Sequence, residues 1–78
     1  MKEKLLKETK LKSEIVKVKG KTYRMFFTKR TDIKDGSSWV WTQIKPYGTN
    51  YIMSSYMSSN KEDGYRKGMA WLRMKGRK

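Results

Sequence analysis

Cysteine and histidine are both absent from this chain of 78 residues. Without cysteine there can be no disulfide framework, thiolate metal ligand or redox thiol. Without histidine, imidazole acid–base catalysis and the Ser–His and Cys–His nucleophile pairs are excluded, and a zinc knuckle has no ligands. Acidic residues are scarce as well: 7 Asp and Glu stand against 20 Lys and Arg, a net charge of +13. No apolar run approaches the length that spans a bilayer. The opening residues, MKEKLLKE, lack the apolar core of a signal peptide. A soluble, cytoplasmic protein is expected, in the host cell cytoplasm if the chain is phage-encoded.

What remains bounds the function. A chain this short buries only about 60% of its unfolded surface, so it cannot hold both a core and a deep catalytic cavity. Function carried on the surface follows. A charge of +13 costs stability through self-repulsion. Solubility or a lysine-rich background would explain it blandly. Attraction to phosphate through counterion release explains it functionally. The expected partner is nucleic acid, DNA or RNA, with no cofactor, no small-molecule substrate and no membrane. An acidic protein or ribonucleoprotein is the alternative.

Along the chain, residues 1–13 are mostly Lys and Glu, with Leu5, Leu6 and Leu11 as their large apolar groups. They read as a basic flexible arm or short helix preceding a single domain over 14–78. From Glu14 the apolar period becomes two. Val16 and Val18 alternate with lysines, Gly20-Lys21 makes a tight turn, and Thr22 to Thr28 forms the return strand of a hairpin. Residues 29–38 (KRTDIKDGSS) are a polar loop with an Asp35-Gly36 turn. Trp39 to Ile44 is the next strand, Pro46 to Asn50 breaks it, and Tyr51 to Tyr56 is the last strand. Ser59 and Glu62 fit the N-cap and N3 positions of a capping box opening a C-terminal helix. At 100° per residue, Tyr65, Met69 and Leu72 share its apolar face, with Gly68 and Trp71 on a flank. The fold expected is α+β: an antiparallel sheet of three to four strands packed on one face by the C-terminal helix.

Three constellations could carry function. On strand 39–44, Trp39, Trp41 and Gln43 share one face, and Val40, Thr42 and Ile44 the other. If Val40 and Ile44 face the helix, both tryptophans lie on the open face beside basic residues. Aromatic platforms flanked by Lys and Arg stack exposed bases. The competing expectation is that the tryptophans form the core, because a small domain needs its largest apolar groups inside. On the helix, Arg66, Arg73 and Arg77 form a one-sided stripe whose guanidinium forks suit phosphate. In the 29–34 loop, Lys29, Arg30 and Lys34 could clamp a backbone. Carboxylates offer no competing site, since Asp32 and Asp35 suit the loop and Glu62 and Asp63 suit the helix start.

Strands 22–28 and 39–44, the Asp35-Gly36 turn, and SSNKE at 58–62 leading into a helix with Ala70 and Trp71 together resemble the three-stranded DNA-binding domains of the AP2 type and of phage integrase N-termini. The resemblance covers roughly residues 21–75. It implies a sheet face that enters the major groove, with Arg24, Trp39, Trp41 and Gln43 as readers. The long 29–38 loop and the lysine-rich arm depart from that pattern. Small accessory proteins of phages and mobile elements are similar in size and style. The expectation is therefore a small, non-catalytic nucleic-acid-binding module, with phosphates held by Lys29, Arg30, Lys45 and the arginine stripe. The alternative is a phage-encoded accessory or anti-defence protein that binds a host protein or ribonucleoprotein complex.

Overall fold

A computed structural model describes residues 6–75. Five strands and one helix follow one another in the order β1 (Leu6–Lys10), β2 (Glu14–Val18), β3 (Lys21–Asp32), β4 (Ser38–Pro46), β5 (Ser54–Ser58) and α1 (Lys61–Lys75). All pairings are antiparallel, and the sheet runs β1-β3-β4-β5 with β2 also paired to β3. The α+β architecture with one C-terminal helix on the sheet is as the sequence predicts.

The extra strand is β1. The arm or short helix expected over 1–13 is, in residues 6–10, a strand paired with the far end of β3; residues 1–5 lie outside the described residues. Its pentapeptide LKETK has no alternation of its own. Pairing comes from β3, whose 12 residues extend well past β2 and leave a ladder to be filled. Lys10 faces Thr28 and Glu14 faces Met25, so residues 11–13 span only Phe26 and Phe27. One residue too many on the edge is a β-bulge, and it joins β1 and β2 into a single bent edge strand. Leu11, whose N–H donates to the Phe27 carbonyl at 2.9 Å, packs against the core from this bulge.

Alternation then sorts the side chains. Val16, Val18, Tyr23, Met25, Phe27, Val40, Ile44 and Leu72 form the buried core, with Thr42 and Ser58 among them. Each large apolar group so buried stabilises by about 1.5–3 kcal/mol. The helix lies over β4 and β5, with a lighter contact to β3. Its buried stripe is Gly64, Gly68 and Leu72, whereas Tyr65, expected on the apolar face, is exposed and Met69 and Trp71 are half-buried. Glycine rotates the stripe because the helix sits close on the sheet, leaving no room for a Cβ at Gly64 and little at Gly68. A Cβ on Gly64 would press deep into Thr42 Oγ1 and stand 2.9 Å from Ser58 Oγ; one on Gly68 would stand 2.8 Å from Met25 Cε.

The polar turns differ from the expected ones by small shifts. Strand β3 runs on to Asp32, so Lys29 and Arg30 stand on a strand and the loop shrinks to residues 33–37. There the Asp35 carboxylate accepts from the Ser37 N–H and hydroxyl at 2.8 Å, which holds its carboxyl below the usual range. The β2–β3 turn is Lys19-Gly20, with Lys19 at φ 52°. The final strand begins at Ser54, since residues 47–53 stay in the connection after Pro46, anchored by the Met53 N–H on the Ile44 carbonyl at 2.8 Å. The N-cap is Asn60, one residue later than expected: its side-chain oxygen accepts from the Asp63 N–H at 2.8 Å. Lys61 Nζ reaches Glu14 at 2.8 Å, tying the helix start to the edge strand, and this contact holds the Glu14 carboxyl below its ordinary value.

Candidate nucleic-acid interface

The helix covers one face of the sheet and leaves the other open. Cross-strand register builds that open face rank by rank. Arg24 stands opposite Lys45, Phe26 opposite Gln43, Thr28 opposite Trp41 and Arg30 opposite Trp39. Towards β5 the ranks continue into Ser55 and Met57. Towards the edge they continue into Ile15 beside Arg24, Lys17 beside Thr22, Lys10 beside Thr28 and Glu8 beside Arg30. Trp39, Trp41 and Gln43 are thus on the helix-free side, half-buried only by their neighbours.

Size decides which face meets the helix. Under Gly64 and Gly68 lie Thr42, Ser58, Met25 and Ile44. A tryptophan in any of these places would push the helix away. The expectation that the largest aromatics form the core fails for this reason. Tyr23, Phe27 and slender aliphatic groups fill the core instead.

Cations and rings interleave on the open face. The Arg24 guanidinium lies 5.8 Å from the Phe26 ring centre and 5.6 Å from that of Tyr47, and Lys45 Nζ lies 4.6 Å from Phe26. Arg30 lies 5.5 Å from the Trp41 ring. Such contacts contribute about 0.5–1 kcal/mol each at exposed sites.

The two arginines differ electrically. Arg30 Nε is 2.9 Å from Glu8 Oε2, though the carboxylate stands off the N–H direction, so this is an ion pair without an aligned hydrogen bond. Arg24 and Lys45 have no acidic partner among the described residues. They face each other directly across β3 and β4, a like-charge pairing that destabilises a sheet. The Arg24 Nε–H is moreover buried and finds no acceptor among the described residues.

The other basic candidates lie elsewhere. Lys29 alternates to the helix side of β3, opposite Val40, and is exposed there. Lys34 is in the β3–β4 turn, its N–H bonded to the Asp32 carboxylate at 2.9 Å. Arg66 and Arg73 are exposed on α1, with the whole sheet between them and the tryptophans. Arg77 lies outside the described residues. Arg24, Arg30, Trp39, Trp41, Gln43 and Lys45 are brought together; the rest are not. Phe26, Tyr47, Lys10 and Lys17 also belong to this face, although the sequence alone does not single them out. Phe26 is legible, since it shares the strand period with Arg24. Lys10 is not, because its strand is not.

No protein-family model matches the chain, and no curated protein or solved structure matches it either. Among the described residues no helix is long and apolar enough to cross a membrane.

Proposed function

We propose that this protein is a non-catalytic nucleic-acid-binding module whose contact surface is the helix-free face of the sheet. One observation carries the proposal: Arg24 and Lys45 are set against each other without a counterion among the described residues, beside Phe26 and Tyr47 and at the end of a row of rings that runs on to Trp41 and Trp39. The rings beside them stabilise each cation, but nothing among the described residues neutralises the pair. A phosphate between the two cations would remove the repulsion and accept charge-assisted hydrogen bonds from both. Lys10 and Lys17 extend the positive strip along the edge. Bases would lie on the rings, at roughly 1–3 kcal/mol each. Arg30, already paired with Glu8, braces Trp41 and is a weaker phosphate ligand than its charge implies.

Anisotropy titrations of labelled oligonucleotides over a range of salt concentrations test this reading. Affinity should fall log-linearly with salt. Arg24→Gln with Lys45→Gln should flatten the slope by about 0.7–0.9 for each phosphate no longer neutralised. Arg66→Gln and Arg73→Gln, on the opposite side, should change it little. Affinity no tighter than about millimolar at low salt, well below even ordinary non-specific binding, would refute the reading.

A further inference from the structure

We infer that the nucleic acid this face takes is single-stranded, laid across the sheet with its bases unstacked from one another. The inference rests on the nucleic-acid reading above and adds the form of the ligand. Three features of the open face point to it.

Width is the first. Counting the bent edge strand once, four strands lie side by side. At about 4.8 Å per step the outer strand axes are about 14 Å apart before side chains are added. The major groove of B-DNA is about 12 Å wide and admits a helix or a two-stranded ribbon. This sheet is too broad to enter a groove through its face, whereas a single strand can cross it.

Spacing is the second. Trp39 and Trp41 are two residues apart on one strand, with Phe26 in the following rank. Successive ranks are about 6.8 Å apart, about twice the ~3.4 Å rise of stacked bases. Rings so spaced cannot each meet a base of a stacked helix. They can each meet a base of an extended strand, which gives room for about three bases on Phe26, Trp41 and Trp39.

Charge placement is the third. The cations of this face with no acidic partner among the described residues lie at one end of the aromatic row (Arg24 and Lys45) and along the β1–β2 edge (Lys10 and Lys17), while the β5 side carries Ser55 and Met57 and Arg30 is offset by Glu8. Duplex binding calls for cations on both flanks, to meet two phosphate backbones across a groove. Cations along one side of a row of rings suit one backbone. Gln43, opposite Phe26 and next after Trp41 on its face of β4, can hydrogen-bond a base edge that pairing would otherwise hide.

The test uses the full chain carrying Trp71→Phe, so that fluorescence reports Trp39 and Trp41. Short oligo(dT), oligo(U) and a mixed-sequence duplex of similar length are titrated at one salt concentration. The single strands should bind about tenfold or more tightly than the duplex and quench the fluorescence. Trp41→Leu, which keeps an apolar side chain but no ring, should cost about tenfold in single-strand affinity, and Trp41→Phe should restore most of it. Circular dichroism confirms that both variants fold. Duplex binding equal to or tighter than single-strand binding would overturn the inference while leaving the nucleic-acid reading intact. Single-strand binding that neither quenches fluorescence nor responds to Trp41→Leu would overturn it equally. Failure of all three probes to bind at low salt would sink both.

Discussion

Replacing Gly64 by alanine should destabilise this protein, although in an isolated helix the same change is favourable. Alanine at an interior helical position is better than glycine by about 1 kcal/mol. Here the added methyl would press into Thr42 Oγ1 and stand 2.9 Å from Ser58 Oγ. Thr42 is fully buried and β-branched, so its side chain has little freedom to turn aside. The helix must lift, and the packing of Gly68 on Met25 and Ile44 loosens with it. Overpacking of this kind costs about 1–3 kcal/mol, and the steepness of the overlap puts it at the upper end, so the net loss is about 2 kcal/mol. For a domain of this size that lowers the melting temperature by about 8–15 °C. Urea unfolding and thermal circular dichroism measure it. The double variant with Thr42→Ala isolates the cause: Thr42 Oγ1 has no hydrogen-bond partner among the described residues, and the remaining Thr42 Cβ would sit 3.4 Å from the new methyl. A coupling of about 1–2 kcal/mol should appear in the cycle. Gly64→Ala as stable as the parent, or zero coupling to Thr42, would refute the close approach of helix to sheet.

Two further changes probe the frame around the face. Glu14 is held below its ordinary pKa of 4.5 by the Lys61 hydrogen bond and charge, so its contribution is present above that value and lost as pH falls through the lowered one. Glu14→Gln should therefore flatten the loss of stability below pH 4.5, seen as a smaller drop in urea midpoint; an unchanged acid profile would count against the contact. Lys19 sits at φ 52° in the β2–β3 turn. Asparagine tolerates that conformation, so Lys19→Asn should raise stability by about 0.5–1 kcal/mol, and a lower melting temperature would contradict the turn geometry.

Much of the frame is legible in the sequence. Strands β2, β3 and β4 declare themselves by alternation, and the helix by its cap-forming residues and acidic first turn. What the sequence hides is set by distant partners. Strand β1 has no apolar pattern because it buries nothing; it is a strand only because β3 overruns β2. The cap is Asn60 rather than Ser59 because both residues can accept from a helix N–H, and only the course of the chain out of β5 decides which one reaches. Tyr51, Ile52 and Met53 look more strand-like than Ser54 and Ser55, yet the turn after Pro46 leaves them in a connection.

The candidate site shows the same division. That Trp39, Trp41 and Gln43 share a face is a matter of counting by twos. Which face is free is not, since apolar area alone would send the tryptophans inward. The answer lies some twenty residues further on, in Gly64 and Gly68, which demand slender neighbours beneath them. The basic residues are harder still, because charge is spread over the whole chain. Lys29 and Arg30 are adjacent, but on a strand adjacent means opposite sides.

The bulge at residues 11–13 gives the edge one spare link, and that link fixes the parity of everything before it. Had the register of β2 run on without a bulge, Leu11 would face Thr28, and Thr9 rather than Glu8 would face Arg30. Leu11 would then lie on the open face, Glu8 would swing to the helix side, and Arg30 would be as bare of counterion as Arg24. The extra residue turns Leu11 inward and keeps the anion beside Arg30. Chain length at this point is therefore forgiving in one direction only. Removing Lys12 or Ser13 would straighten the edge yet leave Lys10 across from Thr28 and Glu8 across from Arg30. Removing a residue from 9–10 instead would put Lys7 in the place of Glu8 and reset the charge of the surface without any substitution on β3 or β4.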